Sequence, residues 1–159
     1  MEILKIIIDD KLYPSTISTD IVSIFTIEYC GNYFPHKKWT DFTNPLLNMW
    51  TYHLVENEYI NNINFILYFM DGPYRMDIFK DDRMQLKIKC INSRREEVVE
   101  YSFEYDYYEF LKELRKAIKK FNYILYKKQM HIGEFEGVYE QTIISTKELT
   151  EVIKRKTER

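Results

Sequence analysis

The sequence predicts an α+β fold: an antiparallel β-sheet of about six strands with helices packed on one face, in the order ββαββββαα. Three observations carry this reading. From residue 74 to residue 105 apolar and polar side chains alternate in short runs separated by turns, the period of half-buried antiparallel strands. From Tyr107 to Leu125 the apolar residues recur instead at spacings of three and four, the period of an amphipathic helix. A shorter stretch of the same helical spacing lies at Leu46, Trp50 and Leu54. With 159 residues the chain matches the size of one hydrophobic core, so residues 1–159 are expected to form a single domain.

Residues 2–8 are isoleucine-rich and read as a strand, and Pro14, Ser15 and Thr16 mark a loop. Residues 20–29 are a second β-branched run that ends at Gly31 and Asn32, and a loop with Pro35 and Trp39 follows. Asn44 before Pro45 is a plausible helix N-cap, with Asp41 as a competing cap, for a helix reaching about Glu58. Residues 64–70 are apolar on both faces, which predicts a central strand. Asp71-Gly72-Pro73 is a turn, after which Tyr74, Met76 and Ile78 alternate with Arg75 and Asp77.

The next two strands alternate so regularly that a register follows. A four-residue loop at 92–95 sets Ile88 opposite Val99, Leu86 opposite Tyr101 and Lys87 opposite Glu100. Asp106 and Glu109 then form a capping box that opens a long helix over residues 107–130, burying Tyr107, Leu114, Ile118 and Phe121. Residues 133–145 are ambiguous between strand and loop. Ser145 and Glu148 form a second capping box for a short helix burying Leu149, Val152 and Ile153, and the charged tail 154–159 is expected to fray.

Composition excludes several classes. A net charge of −2 fits neither a strongly basic nucleic-acid binder nor a strongly acidic mimic of nucleic acid. No apolar run approaches the ~20 residues that span a bilayer. The first residues do not read as a secretory signal, because Ile6-Ile7-Ile8 is short and Asp9-Asp10 follows. Cys30 and Cys90 make no disulfide framework. These points predict a cytoplasmic protein with free thiols.

No residue pattern carries catalysis. His36, His53 and His131 lack metal-ligand spacing; His53 and Glu56 share a helix face but have no third ligand at recognisable spacing. Four isolated glycines make no phosphate loop, and no serine sits in a nucleophile elbow. Neither a cofactor nor a metal is expected. Lysines and tyrosines interleave on the long helix, but acids at its start and lysines toward its end suit the helix dipole, so they read as a solvated face. No nucleic-acid or membrane partner is expected. The unusual feature is an aromatic content of 16% with 14 tyrosines, several of them in loops, where Tyr and Trp serve as interface residues.

Three segments carry a resemblance: Phe34-Pro35 with Trp39, Asp41 and Phe42; Leu46-Leu47 with Trp50; and Phe69-Met70-Asp71-Gly72-Pro73-Tyr74. Across residues 20–130 they resemble small bacterial immunity proteins of polymorphic or contact-dependent toxin systems. The resemblance implies a domain that binds its cognate toxin in the cytoplasm and neutralises it by stoichiometric occlusion, without turnover. It places the partner-binding face near the two loops, at Trp39, Asp41, Asp71 and Tyr74. Two alternatives stand beside it. One is a small hydrolase-like enzyme using Asp41, His53 and Asp71 in a cleft; the other is an accessory protein-binding module.

Overall fold

The computed structural model describes residues 2–16 and 18–157. Its class is α+β, as the two hydrophobic periodicities predict, but the strands divide between two antiparallel sheets. The first sheet is built on one long strand, β3 (Ile21–Tyr29). Along one side of it run β1 (Lys5–Ile8) and the two-residue β2 (Tyr13–Pro14); along the other run β4 (Asn32–Phe34) and β5 (Thr40–Phe42). Each side is one strand's path broken by an insertion. Segments of three residues are too short to show alternation, so β4 and β5 read as loop in the sequence.

Helix α1 (Thr43–Glu56) leads to the second sheet, a meander of β6 (Ile63–Tyr68), β7 (Tyr74–Lys80), β8 (Gln85–Asn92) and β9 (Val98–Asp106) in that spatial order. β6 is therefore an edge strand, not the central strand expected. Its second apolar face has another cause: Leu67 is buried in the core, while Ile66 is half-buried and Tyr68 exposed on the outer side.

The β8–β9 hairpin forms, with a corrected register. Leu86 faces Tyr105 instead of Tyr101, Lys87 faces Glu104, and Ile88 faces Phe103. The loop is 93–97, and a bulge leaves Glu100 unpaired between the Cys90–Tyr101 and Ile91–Val99 pairs. From Tyr101 to Tyr105 the displacement is four residues, so these side chains keep their expected face, while the bulge sets Val99 opposite Ile91 and off that face. This register sets Phe103 and Tyr105 over the core and leaves Val98 and Val99 about half exposed. Two aromatics bury more apolar area than two valines.

Neither expected cap closes α1, whose first turn has no side-chain cap. Asn44 accepts the Ile21 N–H (2.8 Å) and donates to Asp20 (3.2 Å), tying the helix to β3. Helix α2 (Tyr107–Lys127) starts as the capping box predicts, with the Asp106 carboxylate accepting the Glu109 N–H at 3.0 Å. Tyr107, Leu114, Ile118 and Phe121 are all fully buried.

The largest correction is at the end of the chain. A short 3₁₀ turn (Gly133–Phe135) leads directly into a long helix, α3 (Glu136–Thr157). Ser145 is inside this helix and caps nothing; its hydroxyl donates to Asn48 of α1 at 2.8 Å. Thr142, Ile143, Ile144 and Thr146 are β-branched and weaken the helical signal of a segment that reads as strand or loop, yet tertiary packing overrides that propensity. Thr146 and Thr150 satisfy their hydroxyls on carbonyls one turn back, at 2.9 and 2.8 Å. Leu149, Val152 and Ile153 are buried as expected. The end of α3 does not fray as far as Arg155, which holds the buried Glu58 carboxylate at 2.7 Å; residues 158 and 159 of the expected tail lie outside the described residues.

One hydrophobic core runs through both sheets and all three helices. At its centre Phe25 of β3, Trp50 of α1 and Phe69 meet edge to face, with centroids 4.9 to 6.0 Å apart. The loop leaving α1 is fixed by buried polar groups. The Lys80 ammonium donates to the Glu58 and Ile60 carbonyls (3.2 and 2.8 Å), and the Tyr107 hydroxyl donates to the Leu54 carbonyl at 2.6 Å.

Two tests follow from this packing. Leu114→Ala is expected to lower stability by about 2–5 kcal/mol, read as a lower urea midpoint at unchanged slope; an unmoved midpoint contradicts its place in the core. Cys30 is exposed and free, while Cys90 is free and buried, and burial pushes its thiol up to about 12. A chromogenic thiol reagent is expected to titrate one cysteine in the native protein and both in denaturant. Native labelling of both would contradict the burial of Cys90.

Candidate partner-binding site

The two loops singled out in the sequence lie on different sheets, and the fold brings them together. Trp39 precedes β5 and Asp41 is its middle residue; Asp71 lies in the β6–β7 turn and Tyr74 opens β7. β5 pairs with β3, which sets Asp41 opposite Ser23 and turns its side chain inward. The Asp41 carboxylate is 1% exposed. One oxygen accepts the Phe42 N–H at 2.7 Å. The other accepts the Trp39 indole N–H (3.0 Å), the Met70 N–H (3.1 Å) and the Asp71 N–H (3.3 Å).

Burial pushes the Asp41 carboxyl above its ordinary value of 3.8, against the downward pull of the Trp39 and Phe42 bonds. The nearby Asp71 carboxylate adds a smaller upward push. With donors on both oxygens and almost no exposed surface, Asp41 is directed into the fold. It positions the β6–β7 turn and does not itself reach the surface.

Above it the aromatic rings interlock. Trp39 and Tyr74 meet edge to face at 5.0 Å, His36 meets Trp39 at 5.4 Å, and Phe34 meets Tyr74 at 5.6 Å. Gly72 has φ +121°, and a Cβ there would stand 2.8 Å from the Trp39 ring. The turn therefore needs glycine twice, once for its backbone and once for the ring that covers it. Trp39 and Tyr74 are half-buried and Asp71 is exposed. The four residues thus form one rigid knob: Asp71, Trp39 and Tyr74 on its surface, Asp41 as its internal support.

His53 does not join this cluster. It lines a groove of about 500 Å3 beside β6, with Asp77 as the carboxylate in the wall, and neither Asp41 nor Asp71 borders that groove. Among the described residues no three His, Cys, Asp or Glu side chains gather where they could hold a metal ion. Lys116, Lys119, Lys120, Tyr123 and Tyr126 of α2 all face solvent. No helix among the described residues is long and apolar enough to cross a membrane.

Sequence reasoning missed the exposed apolar residues next to the knob. Tyr68 and Met70 are 48% and 47% exposed at the end of β6. The signal was present in the two-faced apolar run 64–70, which a central strand and an uncovered edge explain equally well. Compared with protein-family models, curated proteins and solved structures, the chain matches none.

The tight seat of the turn sets a test. Gly72→Ala is expected to destabilise the protein by more than about 1 kcal/mol, because it adds both positive-φ strain and a collision with Trp39. A thermal melt on the variant measures it. An unchanged melting temperature would mean that the ring does not bear on the turn.

Proposed function

We propose that this protein is a bacterial immunity protein that neutralises a co-encoded toxin in the cytoplasm by direct, stoichiometric binding. The observation that supports this reading is the knob itself. Residues from two loops some thirty positions apart are locked into one aromatic and carboxylate surface before any partner arrives. A preorganised surface of that kind suits occlusion, since little side-chain entropy remains to be lost on binding. Half-buried Trp and Tyr beside a free carboxylate also match the composition of binding hot spots. Asp41 holds the surface in place, and Trp39, Asp71 and Tyr74 meet the toxin.

Protection on co-expression tests the proposal. The C-terminal domain of a large toxin gene directly upstream is expressed with wild type, with Tyr74→Ala and with Asp71→Ala. Wild type is expected to protect the cells. Each variant, once shown to be folded, is expected to bind more than about tenfold more weakly, the equivalent of a hot-spot loss of roughly 2 kcal/mol. Undiminished binding by both folded variants removes the site. No protection by wild type removes the function.

A further inference from the structure

Helix α2 turns toward solvent a charge pattern that the fold does not use. From Leu114 to Gly133 the chain carries Arg115, Lys116, Lys119, Lys120, Lys127 and Lys128 and no acidic residue, although its net charge is −2. Arg115 is tied to Thr150 of α3 at 3.4 Å, and Lys116 has Glu113 three residues before it, one helical turn away. The side chains of Lys119, Lys120, Lys127 and Lys128 form no ion pair and cover no aromatic ring among the described residues. All four are exposed. The helix dipole favours cations in the last turn and fades beyond it, which accounts for Lys127 and Lys128 but not for Lys119 and Lys120. Those two instead repel Lys116 at spacings of three and four, which weakens the helix.

Two tyrosines lie between these lysines. Tyr123 and Tyr126 are 61% and 57% exposed, and Tyr126 leans on His131 at 4.8 Å, which in turn meets Tyr139 of α3 at 5.6 Å. From Lys119 to Lys128 the patch covers about 14 Å of helix. Carboxylates bound it along the chain: Glu109 and Glu113 in the first half of α2, Glu134 and Glu136 after its end. A long polyanion or an anionic plane would run onto them, whereas a compact cluster of carboxylates fits between them.

The polar contacts of α3 fix where this patch sits. Thr142 bonds Asn122 of α2, and Ser145, one turn later, bonds Asn48 of α1. Further along, Thr150 meets Arg115, and Arg155 meets Glu58 just past α1. Helix α3 therefore runs parallel to α1 and antiparallel to α2. The lysine-rich end of α2 and the start of α1, which follows the Asp41 that supports the knob, lie at the same end of the molecule.

We propose that the outer face of α2 from Lys119 to Lys128 is a second contact surface for the protein partner and receives a compact cluster of Asp and Glu side chains on it. The four ammonium groups complement that cluster and steer the partner in, while Tyr123 and Tyr126 add apolar area. A second copy of this chain is repelled there, since two such faces would oppose like charges. This inference rests on the proposed toxin partner, and it names the chemistry that partner presents. The knob holds the complex, and α2 sets how fast it forms.

Association kinetics with the inactivated toxin domain test it, at low and at high salt. The variants are Lys119→Glu with Lys120→Glu, Lys127→Glu with Lys128→Glu, and the neutral pair Lys119→Gln with Lys120→Gln. All these positions are exposed, and replacing Lys119 and Lys120 removes their repulsion with Lys116, so the 119/120 variants are expected to melt no lower than wild type. Wild type is expected to associate fast at low salt and to slow by about tenfold or more at high salt. The Glu variants are expected to associate about tenfold or more slowly at low salt, with little dependence on salt and a nearly unchanged dissociation rate, and the Gln pair to fall between. Folded variants that associate as fast as wild type overturn the α2 surface and leave the proposed function standing. Failure of wild type to bind the toxin domain overturns both. A single-stranded oligonucleotide or a vesicle of anionic lipid that binds the free chain, and loses that binding in the Glu variants, makes a polyanion the occupant and also overturns the proposal.

Discussion

The structure depends most on one buried carboxylate. Asp41 accepts four N–H groups, three of which come from outside its own strand-to-helix junction. Hydrogen bonds to a charged acceptor contribute about 1.5–3 kcal/mol each, and a buried donor left unpaired costs about as much as it would have gained. Removing the acceptor would therefore leave the Met70 and Asp71 amides and the Trp39 indole without their partner at once. The same carboxylate joins the first sheet to the second, because β5 and the β6–β7 turn have no ladder in common. Burial works against it, raising the carboxyl's proton affinity. Only so many converging donors keep a charge of this kind inside the fold.

The reading of the fold from sequence was good wherever hydrophobic periodicity alone decides. α2, the meander β6–β9 and the hairpin faces were all legible because a period of two or of three to four survives in a single chain. The hairpin register was not. Glu100 and Glu104 stand four residues apart on the same face of β9, so a displacement by four reproduces apolar-on-apolar and a Lys87–Glu pair equally well. The choice fell to the bulge at Glu100 and the burial of Phe103 and Tyr105, which depend on the other sheet. Tyr29 of β3 stacks on Phe103 at 4.3 Å. Helix α3 failed for a related reason: its β-branched run is compatible with a helix only once α1 and α2 offer their grooves.

The candidate site was legible by location and not by role. Trp39, Asp41, Asp71 and Tyr74 do come together, but nothing in the sequence separates a support from a contact surface. Asp41 sits in the alternating pattern of a three-residue strand too short to reveal which way it faces. The edge of β6 was hidden for the opposite reason. A strand apolar on both sides looks like the middle of a sheet, and only the strand order shows that one side has no neighbour.

The polar seam of α3 carries a consequence for how the molecule completes itself. Along one helix, Thr142 bonds the Asn122 side chain, Ser145 bonds Asn48, and Arg155 grips Glu58. An apolar stripe alone would let a helix slide along its groove by a turn at little cost. Here a slip of about 5.4 Å separates each of these groups from its partner while keeping most of them dry. The last helix is keyed, like a shaft with splines, and has a single axial position. Half-docked arrangements forgo the Thr142–Asn122, Ser145–Asn48 and Arg155–Glu58 contacts together. Seating α3 therefore engages its three polar contacts in one position, and through Arg155 and Glu58 that position reaches the loop that follows α1.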